Sequence, residues 1–180
     1  MSFFKKTITT DDIADGLINI GITSLTEAGI IGYGQLFADL DIGEQLKEGT
    51  KKEITILEAF VVTQAVQQKV DSKDLSKRIL DKVHEKLYRR MNLSETEATE
   101  FEKLLRERYE RFRGIYQMMY ITENSMGTLL LGGDLIENIF PKSDVSANPK
   151  FVMAMLELFD GHREVLSDFL GLVKSKYQVT

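Results

Sequence analysis

An all-α bundle of about six or seven helices is the fold this sequence predicts, and three observations predict it. Apolar residues recur at alternating spacings of three and four along much of the chain, the period of one helix face. Prolines are scarce: only Pro141 and Pro149 occur, and they bracket one loop, "PKSDVSANP". No Asn-Gly or Asp-Gly pair stands between two alternating apolar runs, the mark of a hairpin, and Asp160-Gly161 interrupts a helical pattern instead.

A first helix is expected over 10–20, where Thr9 or Thr10 caps "DDIADGLINI" and acids of the first turn suit the positive end of the helix dipole. A second, over 24–41, starts where Ser24 to Glu27 reads Ser-Leu-Thr-Glu, a capping box. The third, 52–70, carries "ILEAFVVTQAV", apolar around most of its circumference, and therefore belongs at the centre. A fourth follows over 72–91. The fifth, 94–122, opens on another capping box, Ser94 to Glu97, and its seam runs Ala98, Phe101, Leu105, Arg108, Phe112, Ile115, Met119. A sixth, 125–139, covers most of "NSMGTLLLGGDLIENIF". The last, 149–177, opens on Asn148-Pro149, a cap followed by proline at the first helical position. Its seam is Val152, Met155, Phe159, His162, Leu166, Phe169, Val173, Tyr177. The two long helices, near 94–122 and 149–177, should pack together or across a dimer axis.

Composition places the chain among soluble globular proteins. Its 180 residues suit a single domain, 1–180, with 43% hydrophobic and 28% charged residues. The absence of cysteine rules out a disulfide, a thiolate nucleophile and a zinc–thiolate site, and fits a reducing compartment. "MSFFKKTITT" has two lysines but no apolar core behind them, so it does not read as a secretory signal. "AFVVTQAV" and "MGTLLLGG" fall far short of the roughly 20 apolar residues that span a bilayer. A cytoplasmic protein with no membrane partner is the expectation. Charge is uneven: residues 73–113 carry 12 basic and 9 acidic side chains, between flanks with 6 against 11 and 5 against 8. A surplus of that size makes a weak field.

The glycines invite a nucleotide reading that the flanking chemistry does not support. Gly127 and Gly132 have phosphate-loop spacing, but Gly133 and Asp134 stand where lysine and a hydroxyl residue are needed, and Asp134 would repel phosphate. In "GIIGYGQLF", Gly32-x-Gly34 lacks the third dinucleotide-binding glycine, since Phe37 takes that place. Close helix contact at Gly29, Gly32 and Gly133 is the better account. Each glycine costs about 1 kcal/mol against alanine inside a helix, which implies tight packing or bending there.

Other motifs are weighed the same way. His84 follows Asp81 by one turn, but a carboxylate-bridged di-metal bundle needs two such units, and Glu157 lies five before His162, on the wrong face. No metal or cofactor is expected, and His84 reads as a surface residue beside Asp81 or Glu85. The run "RERYERFR" interleaves arginine with Tyr109 and Phe112, as a nucleic-acid stacking surface does. Glu102–Arg106, Arg106–Glu110 and Glu107–Arg111 pair at i,i+4, however, and a chain of net charge −5 makes a poor phosphate binder. A helix-turn-helix over 11–34 fails because its second helix has no basic residue. No Gly-x-Ser-x-Gly elbow occurs, and no catalytic residue can be nominated.

Two functions from different classes remain. The first is a non-enzymatic adaptor or regulatory protein acting through protein–protein contact as a homodimer, based on the two long seams. The alternative is a small-molecule binder or sensor whose apolar pocket is built from the Tyr/Met-rich segment "FRGIYQMMYITENSMG" and the last helix. Methionine and aromatic side chains adapt to varied apolar shapes. The residues that would form this pocket or interface are Tyr116, Met119, Tyr120, Met155, Phe159 and His162.

Overall fold

The protein, seen as a computed structural model, is described over residues 5–39, 48–122 and 149–180, with side chains for 5–36, 38, 51–114, 153, 157 and 161–180. Six α-helices stand among these residues: α1 Thr10–Gly21, α2 Glu27–Asp39, α3 Glu48–Lys69, α4 Lys73–Arg90, α5 Glu95–Thr122 and α6 Pro149–Lys176. A 3-10 turn, Thr23–Leu25, joins α1 to α2, and two short strands, β1 Lys6–Ile8 and β2 Tyr177–Val179, lie near the chain ends. The all-α class expected from the sequence holds. The helix expected over 125–139, with Gly127, Gly132 and Gly133, lies outside the described residues.

Helix α3 is the axis of the bundle. Ile54, Ile56, Leu57, Ala59, Phe60, Val61, Val62, Ala65 and Val66 are all buried, on every side of it, because α1, α4, α5, α6 and the 3-10 turn all contact it. An all-round apolar helix is stable in water only when neighbours cover it on all sides. Phe60 meets Tyr109 and Phe112 edge-on, with ring centroids 5.4 and 5.5 Å apart, an arrangement that aromatic quadrupoles favour. The described part of each long seam is largely covered within the chain. Phe101, Leu105 and Phe112 of α5 are buried, as are Leu166 and Val173 of α6, with Phe169 half-buried. Among the described residues both long helices lean on α3.

Local signals fixed most helix starts. The Thr9 hydroxyl accepts from the Asp12 amide at 3.1 Å, while the Asp12 carboxylate accepts from the Thr9 amide at 3.1 Å. Ser94 and Glu97 form the expected reciprocal pair at 2.9 and 3.4 Å. The Ser24 box does not form. Thr26 caps α2 instead, its hydroxyl accepting from the Gly29 amide at 3.1 Å, and α2 starts three residues later than expected. Ser24 is turned inward, to a partner on α3 described below.

The strand pair is the feature that the sequence concealed. β1 and β2 run parallel, with Lys6 opposite Tyr177, Thr7 opposite Gln178 and Ile8 opposite Val179. The Thr180 amide donates to the Ile8 carbonyl at 3.0 Å, so the last residues are tied to the start of α1. Three residues per strand are too few for an alternating pattern to register. Tyr177, assigned from the sequence to the last helix, belongs to β2.

Glycine packing is partly as expected. A β-carbon on Gly29 would lie 2.0 Å from the Thr23 carbonyl oxygen, a true close approach of two backbones. Gly32 is corrected: among the described residues nothing lies within 4 Å of its missing β-carbon. The other tight glycines are in α1, where a β-carbon on Gly16 would meet the Phe169 ring at 2.4 Å and one on Gly21 would meet Val62 at 2.6 Å.

Candidate functional site

The pocket expected from the sequence cannot be assembled from the described side chains. His162 is half-buried on α6, one turn before the buried Leu166. Met155 and Phe159 fall on the same helix, and Tyr116, Met119 and Tyr120 on the last turns of α5, but their side chains lie outside the described residues. Among the described residues the concave surfaces gather elsewhere, on the two sides of the α3–α4 connection at Val70–Ser72.

On one side is an apolar cavity of about 310 Å³. Its floor is core: Ile13 of α1, Ile79 of α4, and Leu170 and Val173 of α6 are 5% exposed or less. Its walls are the half-buried Val70, Leu75, Tyr177 and Val179. These residues meet because α4 turns back sharply after α3 and the β1–β2 pair closes the end of α6. The exposed Lys69, Asp71, Ser72 and Lys174 stand at the mouth, and Tyr177 adds a hydroxyl to the walls. Ser72 is occupied as the cap of α4, its hydroxyl accepting from the Leu75 amide at 3.2 Å. Lys174 pairs with Asp71 at 2.5 Å, and Lys69 has no carboxylate partner among the described residues.

On the other side is a wider, wetter cleft of about 790 Å³ between α3, α4 and α5, lined by Thr63, Gln67, Ser76, Asp81, Tyr109 and His84, with further residues of both charge signs. His84 corrects the expectation of a surface histidine. Its ring stacks 6.3 Å from Tyr88 at 7°, and Nε2 is buried with no hydrogen-bond partner among the described residues. Burial pushes the imidazole below its ordinary pKa, against the opposing pull of Asp81 and Glu102, with Arg106 adding to the depression. Tyr88 is pushed up to about 12, also by burial.

Two buried ionic groups went unnoticed in the sequence. Glu58, in the middle of α3, is 2% exposed, and its carboxylate accepts from the Thr23 amide at 3.0 Å, the Ser24 amide at 3.0 Å, the Thr23 hydroxyl at 2.7 Å, the Ser24 hydroxyl and the Tyr33 hydroxyl at 2.9 Å. It caps the 3-10 turn from outside, doing for Thr23 and Ser24 what a local capping residue would do. A carboxylate so fully engaged has no lone pair left to act as base or nucleophile, so its role is structural. Burial raises the Tyr33 hydroxyl's pKa, and the Glu58 charge beside it adds to the rise. Arg108 lies in the predicted α5 seam and joins Glu53 through Nε and Nη2 at 3.1 and 3.2 Å, with both side chains largely buried. That pairing explains how a charge sits in an apolar stripe.

The arginine run loses its nucleic-acid reading on geometry as well as charge. Tyr109 and Phe112 are 7% and 0% exposed and face the core, so neither offers a stacking surface, and Arg106 pairs with Glu102 at 2.6 Å as expected. No group of three metal-ligating side chains occurs among the described residues. Among them, too, no helix is long and apolar enough to cross a membrane. No protein-family model, curated protein or solved structure matches this chain.

Proposed function

We propose that this is a non-enzymatic, cytoplasmic helical binding protein, and that what it binds is a small, largely apolar molecule held in the cavity at the α3–α4 corner. The observation that carries the reading is the cavity itself: about 310 Å³, floored by apolar core residues, with Lys69, Asp71, Ser72, Lys174 and the Tyr177 hydroxyl as its few polar groups. Small-molecule sites have this form, a concave apolar interior with a few polar groups that set orientation, and volumes from about 300 Å³ upward. The site differs from the one expected around His162, and the class of function is the sequence's own alternative. Native mass spectrometry of the purified protein tests it. A retained small molecule, or uptake of a neutral apolar fluorophore that is lost in Leu75→Trp, is the expected result; a chain that binds neither would refute the reading.

A second reading, a homodimer acting through protein–protein contact, draws support from a different observation. Three large exposed apolar side chains fall on α6: Met153, Val165 and Leu172, at 50, 52 and 46% exposure. Val165 and Leu172 are seven apart and so share a helix face. The described residues of the two seams that first suggested dimerisation are largely covered by the chain's own helices, so among the described residues this face is what remains to support it. Light scattering with and without Val165→Glu decides: a dimer that the substitution splits is expected on this reading, and a 20.5 kDa monomer at every concentration would end it.

A further inference from the structure

We infer that the occupant of the α3–α4 cavity is an apolar acid: a molecule with an alkyl or aryl body and one anionic end, its body against Ile79, Leu170 and Val173 and its carboxylate at the mouth beside Lys69. This rests on the cavity reading above and adds the charge of the ligand. The chain carries a net charge of −5, yet the cavity mouth carries a local excess of cations. Lys69 has no carboxylate partner among the described residues, and Asp71, the acid at the mouth, is already neutralised by Lys174 at 2.5 Å. Lys5 adds a third ammonium close by, its Nζ donating to the Lys174 carbonyl at 2.8 Å. The mouth also lies at the N-terminal end of α4, where the helix dipole adds to the positive potential.

The interior chooses the rest of the molecule. Apart from the hydroxyls of Ser72, whose oxygen already accepts from the Leu75 amide, and Tyr177, the wall and floor side chains are apolar and offer little hydrogen bonding to a polar ligand body. A free phosphate or a small polar acid would leave that surface unused. A neutral hydrocarbon would leave Lys69 unused. An apolar acid uses both, and its length is limited by a volume of about 310 Å³ to a medium-length chain or a two-ring aromatic.

The test uses the full chain and N-phenylnaphthylamine, a neutral fluorophore that brightens in apolar cavities, displaced in turn by decanoate and by decanol. Decanoate should displace it at concentrations about fivefold lower than decanol, the size of one charge contact near a surface. Lys69→Gln should remove that preference while leaving displacement by decanol unchanged. Leu75→Trp and, separately, Val70→Trp should each block the probe, with helicity by circular dichroism retained in at least one of them. Decanol displacing as well as decanoate from the unaltered protein would overturn the anionic assignment and leave the cavity reading standing. Failure of the fluorophore to bind at all would overturn both. Probe binding that fades as protein concentration rises would place a second copy of the chain in the cavity and overturn the assignment to a small acid.

Discussion

Gly29 and Gly32 sit three residues apart in α2, and alanine should act in opposite directions at the two. In a helix interior alanine is favoured over glycine by about 1 kcal/mol; the gain applies in full at Gly32 and less at Gly29, the third residue of α2. At Gly32 nothing among the described residues lies within 4 Å of the added β-carbon, so the whole gain should appear as stability. At Gly29 the β-carbon would be 2.0 Å from the Thr23 carbonyl oxygen and 2.5 Å from its carbon. Those are backbone atoms of the 3-10 turn, held by the bonds to Glu58, and cannot rotate away as a side chain would. Relief must come from sliding α2 off the turn, which loosens the Thr26 cap and the Tyr33–Glu58 bond together. Overpacking of this kind costs about 1–3 kcal/mol, and more where backbone must move, so the net effect of Gly29→Ala should be a loss of about 1–2 kcal/mol. Urea unfolding of both variants beside the parent protein measures the two values. Stabilisation by both substitutions would refute the close approach at Thr23, and loss in both would show that α2 tolerates no added side chain at either position.

Two further predictions concern the buried polar groups. His84→Leu should stabilise the protein by about 1 kcal/mol at pH 7.5, since an unpartnered buried nitrogen disappears and only the stacking on Tyr88 is lost. The folded-state imidazole titrates below its ordinary value of 6.5, so on acidification the unfolded chain takes up the proton first. The parent should therefore lose stability as pH falls below 6.5, and the leucine variant should lose less; equal pH slopes in urea melts would refute the burial argument. Glu58→Gln should cost about 2–3 kcal/mol despite near-identical shape, because its amide group would point donors at donors on Thr23, Ser24 or Tyr33. A thermal melt that is unchanged by this substitution would contradict the bonding pattern around that carboxylate.

The sequence by itself determined the helices and the places where most of them begin. A helix is held by bonds four residues apart and started by a side chain reaching three residues on, so Thr9 and Ser94 announce it locally. The all-round apolar composition of 54–66 likewise fixed α3 at the centre, because only burial on every side suits such a surface. Even here tertiary structure intervened: the Ser24 box obeyed the local rule and failed, since Glu58, 34 residues away, offered Ser24 a buried carboxylate in place of an exposed cap. Other decisions depended wholly on which surfaces meet. Arg108 is accounted for by Glu53, 55 positions away; the β1–β2 pair joins residues from opposite ends of the chain; Gly16 is tight because Phe169 lies over it, and Gly32 is open because nothing among the described residues does. The cavity belongs to the same group. Ile13, Leu75, Val173 and Val179 each read as ordinary apolar residues of separate elements, and the space between them exists only once α1, α4, α6 and β2 have packed without filling it. Periodicity records which face of an element turns inward, whereas the gaps left between inward faces depend on side chains far apart in sequence, and no local pattern carries that information.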